Sequence, residues 1–185
     1  GVFPHQVVDK THPLVNDVNT RFDVPHSRWN AVTRKQFDAA GLRVLVESEN
    51  AGVHLATSAD GFRLVFSQGH PEYDTISLLK EYKREVGLYA AGQCRSYPVF
   101  PDNYLGVCEQ ALLNEYRDRL ESDLSAGRQP TGFPESLVTA NLDNTWHDTA
   151  EAVVGNWMGI VYQVTHSDRR IPFMDGIDPA NPLGL

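Results

Sequence analysis

The chain has 185 residues, of which 41% are hydrophobic and 22% charged, and these values are typical of one globular domain with a substantial core. The formal net charge of −8 argues against binding to nucleic-acid phosphates, which requires clustered Lys and Arg. No apolar run approaches the roughly 20 residues of a membrane helix, no signal-peptide pattern is present, and two cysteines form neither a disulfide framework nor a zinc site, so we expect a cytoplasmic protein.

The first third of the chain predicts short β-strands. Apolar runs bounded by Pro, Asn and Asp indicate strands. Between them, Thr33 and Gln36 fit a capping box that begins a short helix. Asp60-Gly61 is typical of a hairpin turn between the last two strands. The predicted strands are residues 2–8, 21–24, 42–46, 53–57 and 62–66.

The later part of the chain predicts helices. After residue 67 apolar residues recur at steps of three and four, and Asp74 is a plausible N-cap. Gly127 stands where the second helix is expected to end. The predicted helices are residues 74–86, 107–126 and 145–165, with loops at 87–103 and 129–144.

Strands followed by helices predict an α/β protein in which helices cover a mixed sheet. The predicted strands alone would form an incomplete open sheet. The chain also opens on Gly1-Val2-Phe3, a strand-like run without a starting Met. We therefore expect a first half to precede these residues in the intact protein.

The most informative stretch is Gly69-His70-Pro71-Glu72, between a predicted strand and a predicted helix. Pro71 disfavours the helical conformation at His70, and in an extended segment residues i and i+2 project to the same side. An imidazole suits a general base, and a nearby carboxylate can fix its tautomer and stabilise the imidazolium. On spacing alone, a tight turn with Glu72 favoured by the helix dipole explains these residues equally well.

The longer string from Gly69 to Asp74 resembles the signature of the homoserine O-succinyl- and O-acetyltransferase family. Three other blocks agree with the family pattern, and the spacing agrees over most of residues 1–84 and 146–165. Between these ranges the chain is longer by a few tens of residues, so we expect an insertion at about 87–144. The three blocks are Gly1-Val2-Phe3-Pro4-His5, Val24-Pro25-His26-Ser27-Arg28, and Asn156-Trp157-Met158 followed by Tyr162-Gln163.

The resemblance implies a flavodoxin-like three-layer fold of the class I glutamine amidotransferase type, with residues 1–185 as the C-terminal portion of one acyltransferase domain. His70 matches the family's general base and Glu72 its orienting carboxylate. Ser27 matches a serine that contacts substrate. Arg84 matches an arginine that binds the amino acid's carboxylate, for which a planar guanidinium is well suited. From the residues alone, Ser27 is explained by a turn and Arg84 by a solvated basic surface.

The family transfers a succinyl or acetyl group from acyl-CoA to the hydroxyl of L-homoserine in methionine biosynthesis. The resemblance implies a homodimer and no metal or redox cofactor. The family's nucleophilic cysteine and the residues that choose the acyl donor lie upstream of the block that opens this chain. We therefore expect the chain alone to be inactive. Cys108 follows a predicted loop rather than a strand and is expected to pack as a small apolar residue, and Cys94 is a weaker candidate nucleophile than Cys108.

Two alternatives remain open. Class I glutamine amidotransferases also place His-Pro-Glu after a strand, but Tyr73-Asp74, Ser27-Arg28 and Arg84 belong to the acyltransferase pattern. The other alternative is a binding domain that kept the scaffold and has no catalytic activity.

Overall fold

The computed structural model describes residues 1–166, 168, 170–172 and 174–184. The chain forms two compact units. The first, here called the helical unit, consists of Gly1–Val2 and Tyr73–Asn144. The second, here called the sheet unit, consists of Phe3–Glu72 and the described residues from Thr145 onward. Strands and helices together confirm the α/β class, whereas the flavodoxin-like three-layer arrangement and the insertion at 87–144 stay predictions.

The sheet has five strands in the order β2-β1-β3-β4-β5. Strand β3 pairs antiparallel with β1 and with β4, and β4 pairs antiparallel with β5. The β3–β4 hairpin turns tightly because Gly52 adopts a φ of +71° and the Ser48 hydroxyl accepts the N–H groups of Asn50 and Ala51. The strands are β1 (Val2–Val7), β2 (Arg21–Pro25), β3 (Arg43–Ser48), β4 (Gly52–Thr57) and β5 (Val65–Ser67).

Among the described residues, the core of the sheet unit includes two apolar clusters. One includes Leu45, Leu55 and Ile160, which lies on helix α5 (His147–Thr165), and the other includes Phe37 of helix α1 (Arg34–Ala39). Burial of each large side chain contributes about 1.5–3 kcal/mol. The predicted capping box of α1 is present.

The helical unit contains α2 (Ser77–Ala90), α3 (Val107–Ser125) and the short α4 (Glu135–Thr139). Its aromatic side chains pack edge to face, as in the pair Tyr116 and Phe133, whose ring centroids are 5.4 Å apart. Across the described residues of both units, no helix is long and apolar enough to cross a membrane. The buried residues of the helical unit include Leu79, Tyr82, Val86, Leu113, Leu120 and Val138.

Several predicted boundaries are wrong for local reasons. Helix α2 begins at Ser77 rather than after Asp74, whose carbonyl oxygen instead accepts the Ser77 N–H in a turn. Strand β5 begins at Val65 rather than at Phe62, because the Asp60 carboxylate holds the backbone N–H of Phe62 in the preceding turn. Helix α4 lies in a segment predicted to be a loop because of Pro130 and Pro134, but Pro134 is the N-cap residue of the helix.

Candidate active site

The loop that follows β5 is fixed by Gln68. Its backbone N–H donates to the His54 carbonyl at 2.9 Å, and its side-chain amide donates to the carbonyls of Val53 at 2.8 Å and Val32 at 2.9 Å. The side-chain oxygen of Gln68 accepts the Val32 N–H at 2.7 Å. Both ends of the Gln68 side chain are therefore satisfied by backbone groups, which holds the loop in one position.

Gly69 lies where the loop passes closest to β2 and β4. A Cβ atom at this position would lie 2.5 Å from Val24 Cγ1, 2.9 Å from His26 Nε2 and 2.9 Å from His54 Nδ1. Real Cβ atoms essentially never make contacts this close, so only glycine fits without a shift of its neighbours. The close approach lets the His70 N–H donate to the Pro25 carbonyl at 2.7 Å.

His70 and Glu72 form the predicted pair. His70 Nδ1 lies 2.9 Å from Glu72 Oε1, and the two side chains are 34% and 68% exposed. Because the carboxylate only accepts, Nδ1 carries the proton, and in the neutral ring Nε2 is left with its lone pair. Nε2 lies 3.3 Å from the Ser27 carbonyl oxygen, to which it can donate once it has taken up a proton. The arrangement suits a ring that accepts a proton at Nε2.

The structure brings three of the four predicted site residues together. His70, Glu72 and Ser27 lie within the sheet unit, and Ser27 approaches the imidazole through its backbone carbonyl while its side chain is exposed. Arg84 belongs to α2 of the helical unit, where its exposed guanidinium pairs with Glu85 at 3.0 Å. The role of each of the four residues stays a prediction.

The two cysteines lie in the helical unit. Cys108 is exposed in the first turn of α3, so the expectation that it packs as a small apolar residue is wrong. The apolar contacts that the expectation assumed are made by other residues of α3, namely Leu113, Tyr116 and Leu120. Cys94 is partly buried.

Three buried histidines lie beside the loop and were not predicted to belong to the site. His5, His26 and His54 are only 2%, 5% and 5% exposed. Burial, followed by the charge of Arg28, lowers the pKa of His26 to about 2, and burial lowers the pKa of His54 to about 3. Burial also lowers the pKa of His5. We call these residues the buried histidine cluster, and all three rings are neutral near pH 7.

The planes of the His5 and His26 rings are nearly parallel, 6° apart, and His54 meets His5 edge to face. The ring centroids are 5.0 Å apart for His5 and His26, and 5.4 Å apart for His5 and His54. No group of three or more His, Cys, Asp or Glu side chains in the described part of the chain is placed to hold a metal ion. His5 and His54 lie on strands and His26 lies directly after one, but nothing in the sequence spacing of the three residues indicates that they pack together.

A cavity of about 300 Å³ lies within the sheet unit. Its wall is largely apolar and reaches the loop through Pro71 and Ser67. Helix α5 contributes Val153, Val154 and Trp157, of which Trp157 is 44% exposed. Of the other apolar residues of α5, Ile160 and Val164 are buried, at 3% and 1% exposed.

Comparisons with known proteins give a consistent result. A family model described as homoserine O-succinyltransferase matches residues 1–167. Over 185 residues, the chain is 66% identical to a homoserine O-succinyltransferase of Allochromatium vinosum and 60% identical to one of Methylococcus capsulatus. A homoserine O-succinyltransferase of Thiobacillus denitrificans is 62% identical over 185 residues. Each match covers 100% of this chain but only 51–52% of the relative, so the chain spans about half the length of the curated relatives it matches.

Proposed function

Because the chain belongs to the homoserine O-succinyltransferase family, we propose that it supplies His70 and Glu72 to an enzyme that transfers a succinyl group to the hydroxyl oxygen of L-homoserine. The full-length protein that would contain residues 1–185 is called the parent protein below. The observation that carries the proposal is the 2.9 Å contact between His70 Nδ1 and Glu72, within a segment that the family model covers. The succinyl group follows from the relatives' name.

The proposed reaction has two acyl-transfer steps. In the first, a cysteine thiol from outside residues 1–185 gives its proton to His70 Nε2, and the resulting thiolate attacks the carbonyl carbon of succinyl-CoA. The C–S bond to CoA breaks, and the proton passes from His70 to the departing CoA sulfur. In the second, the homoserine hydroxyl attacks the enzyme thioester, forms the ester C–O bond and releases the cysteine sulfur. His70 Nε2 takes the hydroxyl proton in this second step and returns it to the cysteine thiolate. No metal or redox group enters either step.

Glu72 and the Ser27 carbonyl are proposed to stabilise the imidazolium that forms on His70. The carboxylate already accepts the Nδ1 proton at 2.9 Å, and the carbonyl lies 3.3 Å from Nε2, where the new proton would be. An imidazolium placed between two acceptors is favoured over one that faces apolar groups. These two contacts therefore support His70 as the group that takes up the hydroxyl proton.

Further parts of the proposal come from the family resemblance. The Ser27 hydroxyl is proposed to contact substrate, and Arg84 to bind the homoserine carboxylate through a charge-assisted hydrogen bond. The reaction would serve methionine biosynthesis in the cytoplasm, in a homodimeric enzyme that uses the CoA thioester as donor.

The direct test uses the purified parent protein with succinyl-CoA or acetyl-CoA, each with and without L-homoserine. Free CoA thiol and the mass of the product are measured. We expect homoserine-dependent thiol release and O-succinylhomoserine with succinyl-CoA, and much slower release with acetyl-CoA. Acetyl transfer at an equal or higher rate would overturn the choice of donor. Ammonia release from glutamine without acyl transfer would overturn the proposed function altogether.

A further inference from the structure

We propose that His5, His26 and Arg28 form a positioning relay, a directed chain of hydrogen bonds that holds the loop carrying His70 in its catalytic geometry. The kinetic part of this inference rests on the proposed function, whereas the hydrogen-bond directions do not. The relay runs through the sheet unit from the Phe3 carbonyl to the Gln68 carbonyl.

The direction of each hydrogen bond follows from the valence of a neutral imidazole. His5 Nδ1 lies 2.8 Å from the Phe3 carbonyl oxygen, which only accepts, so Nδ1 carries the proton and Nε2 is an acceptor. His5 Nε2 lies 3.1 Å from His26 Nε2, which must therefore be the N–H donor. His26 Nδ1 is then an acceptor, and the Arg28 guanidinium is the donor that binds it. No other assignment satisfies all three contacts.

The relay ends on the backbone that carries the base. Arg28 Nη1 also donates to the Gln68 carbonyl at 3.3 Å, and Nη2 donates to the Ala51 carbonyl in the β3–β4 turn. Gln68 immediately precedes Gly69, and His26 Nε2 is one of the atoms that a Cβ on Gly69 would meet. The relay therefore contacts the loop twice, through Arg28 at Gln68 and through the His26 ring at Gly69.

Burial keeps the relay in the one protonation state that allows it. A second proton on either ring would remove an acceptor that the next donor needs, and burial lowers the pKa of His5 and His26. The Arg28 guanidinium nearby disfavours the same proton. Fully neutral rings with fixed tautomers are thus expected wherever the protein is folded near neutral pH.

Substitutions at His26 separate the two halves of the relay. The amide oxygen of Asn imitates Nδ1 and keeps an acceptor for Arg28, but Asn cannot reach His5. The amide nitrogen of Gln imitates Nε2 and keeps a donor for His5, but the Arg28 acceptor is lost. Phe keeps the volume of the ring and removes the hydrogen bonds to His5 and Arg28.

In the parent protein, we expect His26→Phe to lower kcat by about 10–100-fold while KM for both substrates changes by less than about threefold, because a displaced base mainly affects the transition state. His26→Gln should resemble His26→Phe, and His26→Asn should recover most of kcat, since it retains the acceptor for Arg28. Arg28→Lys, which keeps the charge but cannot reach all three acceptors, should lower kcat by about tenfold or more.

The matched control is His12→Asn. His12 is also a fully buried histidine of the sheet unit, and its Nδ1 accepts the Leu14 N–H in a separate 3₁₀ turn. Any loss of thermal stability should be similar in the two Asn variants. His12→Asn should leave kcat within about twofold of the wild type, in contrast to His26→Phe and Arg28→Lys. If His26→Phe does not fold, the relay is tested by the kcat of Arg28→Lys alone. A kcat loss in His12→Asn equal to that in Arg28→Lys, or an unchanged kcat in Arg28→Lys, would overturn the relay.

A second measurement does not depend on the enzymatic reaction. Long-range ¹H–¹⁵N NMR spectra of the parent protein, labelled at the imidazole nitrogens, report which nitrogen of each ring carries the proton. We expect His5 protonated at Nδ1 and His26 protonated at Nε2. The opposite tautomer at either ring would overturn the relay even if succinyl transfer is confirmed. The predicted tautomers without succinyl transfer would instead sustain the relay's hydrogen bonds and overturn the proposed function.

Discussion

The sheet unit contains an accessible histidine, His70, and a cluster of buried histidines, so the same side chain occurs in opposite environments. His70 is one-third exposed and faces a carboxylate, whereas His5 and His26 are nearly inaccessible and face a carbonyl, one another and a guanidinium. A base must exchange a proton with its substrate, so it needs access. A positioning group must keep one tautomer, so it needs burial. Environment rather than residue type therefore decides which histidine is proposed to react and which to hold the loop.

The buried histidine cluster also has a destabilising component. His54 Nδ1 is buried without a hydrogen-bond partner among the described residues, which costs roughly 1–3 kcal/mol for a polar atom. This atom faces Gly69, at the point where the loop comes nearest to β4. The close approach of the loop thus fills the space that a partner for Nδ1 would occupy.

The largest expected effect concerns the accessible histidine, His70. His70→Ala in the parent protein should lower kcat by about 10²–10⁴-fold, because general-base catalysis is lost. Thiol release from succinyl-CoA in the presence of homoserine measures the change. His147→Ala is the control, since His147 is an exposed histidine in the first turn of α5. Equal turnover in the two variants would exclude His70 from the mechanism.

The next effect concerns Gly69, where the loop that carries His70 packs against the buried histidine cluster. Gly69→Ala should lower the free energy of unfolding by about 1–3 kcal/mol, because the added Cβ meets Val24, His26 and His54 within 3 Å. Gly87→Ala is the matched control. Gly87 lies in α2 with nothing within 4 Å of an added Cβ, so alanine there should stabilise by up to about 1 kcal/mol. Denaturant unfolding that ranks the two variants in the reverse order would show that the loop does not pack as described.

A third expected effect is the acid sensitivity of the buried histidine cluster. The pKa of His26 is about 2 and that of His54 about 3 in the folded protein, against 6.5 for an unperturbed histidine. Below pH 6.5 the unfolded chain binds protons that the folded state excludes. Stability should therefore fall as pH decreases towards about 3, by up to about 1.4 kcal/mol per pH unit for each histidine. Unfolding measured at pH 7.5, 6 and 5 should show a shallower pH dependence for His26→Asn, and an unchanged dependence would contradict the burial of His26.

Much of the fold could be predicted because local signals set it. The capping box at Thr33 and Gln36 and the glycine after α3 lie within a few residues of the ends that they define. The predicted first residues of β5 and α2 were wrong. The true first residues depend on turn hydrogen bonds to Asp60 and Asp74, which apolar periodicity does not indicate.

The candidate site also has a part that could be predicted from local sequence and a part that could not. His70 and Glu72 are two residues apart, so the extended geometry at Pro71 was enough to bring them together. The buried histidine cluster joins residues 5, 26 and 54, which become neighbours only when the strands pair in the order β2-β1-β3-β4. Sequence spacing carries no direct sign of such a pairing, and an isolated histidine on a strand looks like any packing residue.

The central claim is that the buried His26 affects catalysis only by positioning His70. A double-mutant cycle tests this claim most directly. The kcat values of wild type, His70→Ala, His26→Phe and the double variant are measured in the parent protein with succinyl-CoA and homoserine. If His26 only positions His70, the double variant should be no slower than His70→Ala, within about twofold. If the two losses multiply, so that the double variant is a further 10–100-fold slower, His26 acts independently and the claim is wrong.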